Sequence, residues 1–359
     1  MSVNQIIMYI LTFGAALGGI DCLLGNRLGY GDKFESGFRM LGPVTLSMAG
    51  IICLAPVLST VLGNCIRPLC ALLGIDPGIF GSILAIDMGG YQLSVDLAAD
   101  PLFGRFSGVI ISSVFGCTVV FSIPVGLGFL GEEDRPYFTK GILIGLATMP
   151  VSILTAALMV HMELGFALWN TMPVLLFSVI LGIGVLKKPG IMMKGFLGFA
   201  NAVRITAVFG LAAGAVSYLA DITVIPGLLP LEDAMETVCS ICIAMVGSMP
   251  LAELIQRLLK VPFRYINKVT GLDSSSSTGL LLGLVSATPA LAMIPQMNRR
   301  GQVVISAALV SCICTFGAHF AFANSLCPEM VPALLVSKLV GGLLGGILAM
   351  FATKNLKES

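Results

Sequence analysis

Along this chain, apolar stretches of about twenty residues alternate with short loops that are charged or rich in Pro and Gly. A helix needs about 20 apolar residues to cross the hydrocarbon core of a bilayer. On that measure the pattern predicts eleven membrane segments, at 3–24, 37–62, 78–99, 104–130, 137–160, 165–186, 196–219, 234–258, 274–296, 301–325 and 330–352. Residues 64–73 and 257–268 are shorter and amphipathic, a pattern expected of helices lying along the interface. The fold class predicted is an all-α polytopic membrane protein.

Two segments are interrupted from within. In the third, Asp76 can cap a helix and Pro77 suits its first turn. An apolar run reaches Ile86, then Asp87, Met88, Gly89 and Gly90 intervene, and a second run begins at Tyr91. An ionisable residue and two glycines in mid-segment predict a re-entrant helical hairpin with its tip at Asp87–Gly90. The ninth segment starts at Asp273 and the serines Ser274–Ser277, which can satisfy free N–H groups. It is interrupted at Ser286-Ala287-Thr288-Pro289, where proline removes a donor from the ladder. Two such tips meeting near the midplane would surround a small cavity with backbone dipoles, hydroxyls and one carboxylate.

The chain also repeats itself. Phe13-Gly14 and Gly18 are echoed by Phe209-Gly210 and Gly214, and Gly74-Ile75-Asp76 by Gly271-Leu272-Asp273. Ser107–Ser112 resembles Gly301–Ser306, and Lys140 and Lys338 each precede a glycine-rich run. The offsets stay between 194 and 198 in the same order. Residues 1–160 thus form a first membrane repeat, 161–190 a linker helix and 191–359 a second repeat. Arg257, Lys260, Arg264 and Lys268 before segment 9, and Arg299 and Arg300 after it, both read as cytoplasmic loops. Eleven full crossings with parallel repeats are the alternative, and would put one of the two basic loops outside. With both loops inside, segment 9 reads as re-entrant, segment 3 likewise by the repeat, and the two repeats as inverted. This layout resembles that of elevator carriers. By that analogy 64–130 and 257–325 would move as a body against segments 1, 6, 7 and 11.

Composition agrees with the pattern. The 359 residues are 57% hydrophobic and 11% charged, where a soluble domain carries about 25% charged residues. Lys+Arg 20 against Asp+Glu 19 leaves no basic bias, so nucleic acid is not an expected partner; the lipid bilayer is, and nothing excludes a homo-oligomer. The first segment lacks a basic leader and a small-residue cleavage motif, and reads as a retained helix. Cys239-x-x-Cys242 and Cys312-x-Cys314 have metal-like spacings but lie in apolar runs, where small soft packing residues are expected. No Walker-type loop, His/Glu metal spacing or nucleophile elbow is present, so no cofactor, metal or enzymatic activity is expected.

Ionisable residues inside membrane segments mark function by default. Asp87 is the leading candidate, as a ligand for a cation or as an acid paired with Arg204 or Lys338. Asp21 reads as interfacial or paired with Arg27. Glu253, Lys338 and Arg204 read as snorkelling groups. His319 is either a hydrogen-bonded packing residue or a substrate and proton ligand. The Gly341-Gly342 and Gly345-Gly346 pairs read as a close-packing surface. The candidate substrate-binding set is Asp87, Met88, Gly89, Gly90, Tyr91 and Gln92 at the first tip, Ser286 and Thr288 at the second, and His319 in segment 10.

Several stretches resemble one family over essentially the whole chain. They are NQIIMYIL, GFRMLGPVTLSMAGIICLAPVLSTVLG, LAIDMGG, VVFSIPVGLG, RRGQVVISAALV and VSKLVGG, with Asp87–Gly90 and Phe121–Pro124 the most specific. The family is the EutH ethanolamine permeases of bacterial ethanolamine-utilisation systems. The chain departs from it in shorter loops after segments 1 and 5, and in Ala318, where an acidic residue is expected before the histidine. The resemblance implies a multi-pass permease of the bacterial cytoplasmic (inner) membrane that takes up protonated ethanolamine. The residues by themselves also allow a carrier for another small organic cation or a nucleoside-like solute, or a channel.

Overall fold

The computed structural model describes residues 3–84 and 87–354. Among these, every regular element is helical. The elements are α1 (Val3–Leu23), α2 (Tyr30–Leu73), α3 (Ile79–Leu84), α4 (Tyr91–Leu97), α5 (101–129), α6 (Arg135–Met159), α7 (Leu164–Lys187), α8 (Pro189–Ala220), α9 (Leu231–Thr270), α10 (Ser274–Gly283), α11 (Ala287–Met293), α12 (Arg299–Cys312), α13 (Ala318–Leu326) and α14 (Val331–Ala352). Seven of the described helices are long and apolar enough to cross a membrane: α1, α2, α6, α7, α8, α9 and α14. They coincide with seven of the eleven expected segments. The other four, 78–99, 104–130, 274–296 and 301–325, are where the chain is interrupted or wound as π-helix.

The stretches at 64–73 and 257–268 are not separate interfacial helices. The first is the end of α2 and the second the end of α9. Pro68 and Pro262 lie inside these helices without ending them. What ends them is glycine: Gly74 at φ 65° and Gly271 at φ 70° adopt the left-handed conformation that terminates a helix without a Cβ penalty.

Each terminator is followed two residues later by an aspartate that opens a broken segment. Asp76 accepts hydrogen bonds from the N–H groups of Gly78 (2.8 Å), Ala99 (3.1 Å) and Asp100 (2.7 Å). One carboxylate thereby ties the start of the 78–99 segment to its end, and α3 and α4 pack against one another between. Asp273 caps α10 through the N–H of Ser276. There the base is closed by Asn298, whose side chain donates to the Gly271 carbonyl (3.4 Å) and accepts from the Gly301 N–H (2.7 Å). α10 and α11 pack side by side above it.

The packing sorts the helices into two groups. α6, α12 and α14 form a tight trio, held by small residues: a Cβ on Gly345 would come within 2.8 Å of the Ala307 carbonyl, and one on Gly341 within 2.6 Å of Ser311 Oγ. The glycine pairs do form a close-packing surface, as expected from sequence. α1, α2 and α9 form the second group, with α8 against α2. Segment 11, which the elevator analogy set among the static helices, is α14 and packs with α5 and α12 instead. Its Lys338 does not snorkel. It is 0% exposed and donates to the Ser113 carbonyl of α5 (2.9 Å). A deeply placed ammonium satisfies its donors on main-chain carbonyls when the interface is out of reach.

Replacing Asp76 by Ala removes the acceptor that closes the first broken segment. With part of the loss taken up by water at exposed Ala99 and Asp100, the expected destabilisation is about 1–3 kcal/mol. It should appear as a lower thermal midpoint of the purified protein in detergent, with Asp76→Asn intermediate. An unchanged midpoint in Asp76→Ala would show that the base is held by other contacts.

Candidate functional site

The non-helical backbone of the second half meets itself deep in the molecule. After α12 the chain runs irregularly from Ile313 to Gly317. The Cys314 N–H donates to the Gly283 carbonyl (2.7 Å) and the Phe316 N–H to the Leu284 carbonyl (2.8 Å). The tip of the α10–α11 hairpin and the break between α12 and α13 thus satisfy one another. Val310, whose carbonyl would bond the Cys314 N–H in a continued helix, accepts from Thr118 Oγ1 instead (3.0 Å). Unpaired backbone groups are costly away from water, and these three find partners on neighbouring elements. The approach is close: a Cβ on Gly317 would lie 1.9 Å from the Val285 carbonyl oxygen.

A cavity of about 390 Å³ opens beside this crossing. One wall comes from the two breaks: Ser286, Ala287, Thr288, Cys314, Ala318, His319 and Phe322, with Cys117 and Phe121 of α5. The opposite wall comes from Met40, Pro43, Val44, Ser47 and Met48 of α2 and Ile241 and Met245 of α9. The cavity therefore lies between α2 and α9 on one side and the interrupted segments with α5 on the other. A second, smaller cavity of about 30 Å³ adjoins the first hairpin, lined by Gly89, Tyr91 and Gln92 together with Ile52, Thr237 and Leu326. Met48 and Phe322 line both. Met48 sits on a π-helical turn, Thr45–Ala49, a distortion that recurs at functional sites. Phe322 packs edge-on to Tyr91, with ring centroids 6.2 Å apart.

Six of the nine residues singled out from sequence line these two cavities. Ser286, Thr288 and His319 face the larger; Gly89, Tyr91 and Gln92 face the smaller. Ser286 makes no side-chain capping bond at the start of α11. His319 is 1% exposed, in the first turn of α13. Gly90 is buried at the N-terminal end of α4. Asp87 and Met88 lie in the helical turn Asp87–Gly90 that carries Gly89, and their side chains lie outside the described residues. Ser94, on the same arm, lines neither cavity and packs between the arms against Gly81.

Other expectations resolve into structural pairs. Asp21 accepts from the N–H groups of Leu28 (2.9 Å), Tyr30 (2.8 Å) and Gly31 (3.0 Å), not from Arg27. Free N–H groups at the start of α2 are the better-placed donors. Glu253 pairs with Lys33 (3.5 Å) and Arg257 (2.9 Å). The cysteines are free thiols, and among the described residues no group of three potential ligands could hold a metal ion. Sequence reading missed the α2 wall, Phe121 and Phe322 as cavity residues. Phe121, Met40 and Met48 lie in stretches that carry the family resemblance, but by themselves they look like any other apolar helix residue.

An all-helical, multi-pass membrane protein with a cavity between two groups of helices, at the meeting of interrupted segments, is the class this geometry defines. No solved structure matches the chain. The family model described as "Ethanolamine utilisation protein, EutH" matches residues 3–352, and the chain belongs to that family. It is 38% identical to "Uncharacterized protein YxeR" of Bacillus subtilis, over 93% of this chain and 91% of that protein. It is 36% identical to "Probable ethanolamine permease EutH" of Listeria monocytogenes, over 92% and 89%. To the Escherichia coli protein of the same name it is 32% identical, over 92% and 91%.

Because the Gly317 Cα leaves no room for a side chain against Val285, Gly317→Ala should separate the two breaks and expose the Gly283 and Leu284 carbonyls. The expected outcome is loss of a monodisperse peak on size exclusion, or of ligand binding in what remains. Normal behaviour of that variant in both assays would mean that the crossing is not what shapes the cavity.

Proposed function

We propose that this protein is a carrier that brings protonated ethanolamine across the bacterial cytoplasmic membrane. The observation that carries the reading is the placement of the cavity, between the α2–α9 pair and the interrupted segments, a location typical of substrate sites in secondary transporters. The names of two relatives, probable ethanolamine permeases, supply the substrate. A largely apolar lining of Met, Val, Ile and Phe side chains suits a carrier better than a water-filled channel.

Ethanolamine is a primary amine, charged at neutral pH as a Lys side chain with pKa about 10 would be. Its ammonium calls for a carboxylate, and Asp87 is the acid placed by sequence at the first hairpin tip. Its turn carries Gly89, which lines the smaller cavity. Ser286, Thr288 and His319 offer partners for the alcohol in the larger one. The closed bases of the two broken segments support re-entrance: a stretch whose ends are hydrogen-bonded together leaves on the side where it came in. Two re-entrant hairpins make the repeats inverted. The moving body in this reading is 76–159 with 271–352, against α1, α2, α8 and α9. This division maps segments 3–5 onto 9–11 and segments 1–2 onto 7–8, so it treats segments 5 and 11 alike, where the elevator analogy set segment 11 alone among the static helices.

Asp87→Asn keeps size and polarity but removes the charge. Losing a charge-assisted hydrogen bond is expected to cost about 1.5–3 kcal/mol, or roughly tenfold to a hundredfold in affinity. The measurement is ethanolamine binding to purified, folded protein, with uptake assayed at acidic pH, where diffusion of the neutral amine is least. Near-normal binding and uptake would make Asp87 structural.

Re-entrance of the second hairpin has its own test. Single cysteines in loops 259–272 and 297–300, in a background stripped of native thiols, should both resist an impermeant thiol reagent applied outside. Labelling of one loop from outside and the other only from inside would mean that the segment crosses fully.

A further inference from the structure

The smaller cavity has room for one or two water-sized groups, at about 30 Å³. That is the size of an ammonium head, not of a whole substrate. Gln92 is a polar side chain on its wall, and its orientation is constrained from behind. Gln92 Nε2 donates to Asp96 Oδ1 at 2.8 Å, one helical turn further along α4. A glutamine amide has a donor end and an acceptor end of nearly the same shape, and the hydrogen-bond network decides which way it points. A carboxylate only accepts, so Asp96 fixes the NH₂ end on itself and turns Oε1 the other way. Among the described residues nothing donates to Gln92 Oε1. Asp96 is itself held at the end of α4, where its main-chain carbonyl accepts from Arg67 Nη2 (3.1 Å). The guanidinium takes the backbone oxygen, which leaves the carboxylate to the glutamine.

We infer that Asp96 is a positioning residue which presents Gln92 Oε1 as a second acceptor for the substrate ammonium, beside Asp87; this rests on the ethanolamine reading above. A primary ammonium has three N–H donors, and in a site poor in water each unpaired donor is a cost. One carboxylate at the tip turn leaves donors over, and Gln92 Oε1 takes one of them. Donation by Nε2 to an anion also draws electron density toward Oε1 and strengthens it as an acceptor. The pair therefore selects for nitrogen that keeps its hydrogens. Each N-methyl group removes a donor and enlarges a head that has little space.

The test measures binding of ethanolamine and its N-methyl, N,N-dimethyl and N,N,N-trimethyl (choline) forms to the purified full-length protein. Wild type should weaken along the series, by about tenfold once donors fall below the available acceptors. Gln92→Met keeps the volume without the acceptor. It should bind ethanolamine about tenfold more weakly and lose most of its discrimination within the series. Asp96→Asn should shift in the same direction. Gln92→Met/Asp96→Asn should be no worse than Gln92→Met alone, since Asp96 acts through Gln92. A merely structural role for Asp96 would weaken all four ligands in parallel and add to the Gln92→Met loss, and either result overturns the inference. So does a wild type that binds the four equally, a result that needs no variant to fold. A wild type that binds none of them removes the ethanolamine reading itself, and the inference with it.

Discussion

Everything distinctive in this molecule follows from one constraint: inside hydrocarbon, a backbone N–H or C=O that leaves a helix must find another partner. Lipid cannot supply one. The irregular stretch 313–317 is tolerated because the tip of the α10–α11 hairpin offers it the carbonyls of Gly283 and Leu284. That tip is tolerated for the same reason in reverse. The Thr118 hydroxyl covers the remaining Val310 carbonyl. Two interruptions, each expensive alone, become compatible when they are brought into contact, and the space beside their contact is the cavity.

Placing polar atoms there has a chemical consequence. The cavity is walled mainly by Met, Phe, Ile and Val side chains, with hydroxyls and one imidazole at the breaks. A small cation in such surroundings interacts strongly with the few acceptors present, because little water screens them. The turn Asp87–Gly90 carries Gly89 on the smaller cavity, and Ser286 and Thr288 line the larger one. Two cations elsewhere in the chain have structural partners: Lys338 donates to the Ser113 carbonyl, and Arg257 pairs with Glu253.

The division into two helix groups gives the cavity its mechanical setting. One wall belongs to α2 and α9 and the other to the broken segments and α5. The trio α6, α12 and α14, locked by glycines against main-chain carbonyls, backs the second wall with a rigid block. Shape changes that slide one wall past the other would leave each close-packed group intact.

By itself the sequence determined that the protein is helical and membrane-embedded, because runs of about twenty apolar residues admit no other satisfied backbone. It also located the interruptions at Asp87–Gly90 and Ser286–Pro289, which combine glycine, proline and polar residues where an unbroken helix would exclude them, but it read 301–325 as one segment and missed the break at 313–317. It could not foresee that α2 and α9 run on through Pro68 and Pro262, because a proline's effect depends on what packs around the carbonyl it leaves free. Nor could it select Met48 and Phe322 among so many apolar residues. Membrane helices are apolar on lipid-facing and buried sides alike, so hydrophobic periodicity carries little information about which face meets a neighbour. Only the tertiary structure decided that. It brought the breaks at 283–286 and 313–317 together, set α2 and α9 across from them, and put Gln92 on a cavity wall with Asp96 behind it.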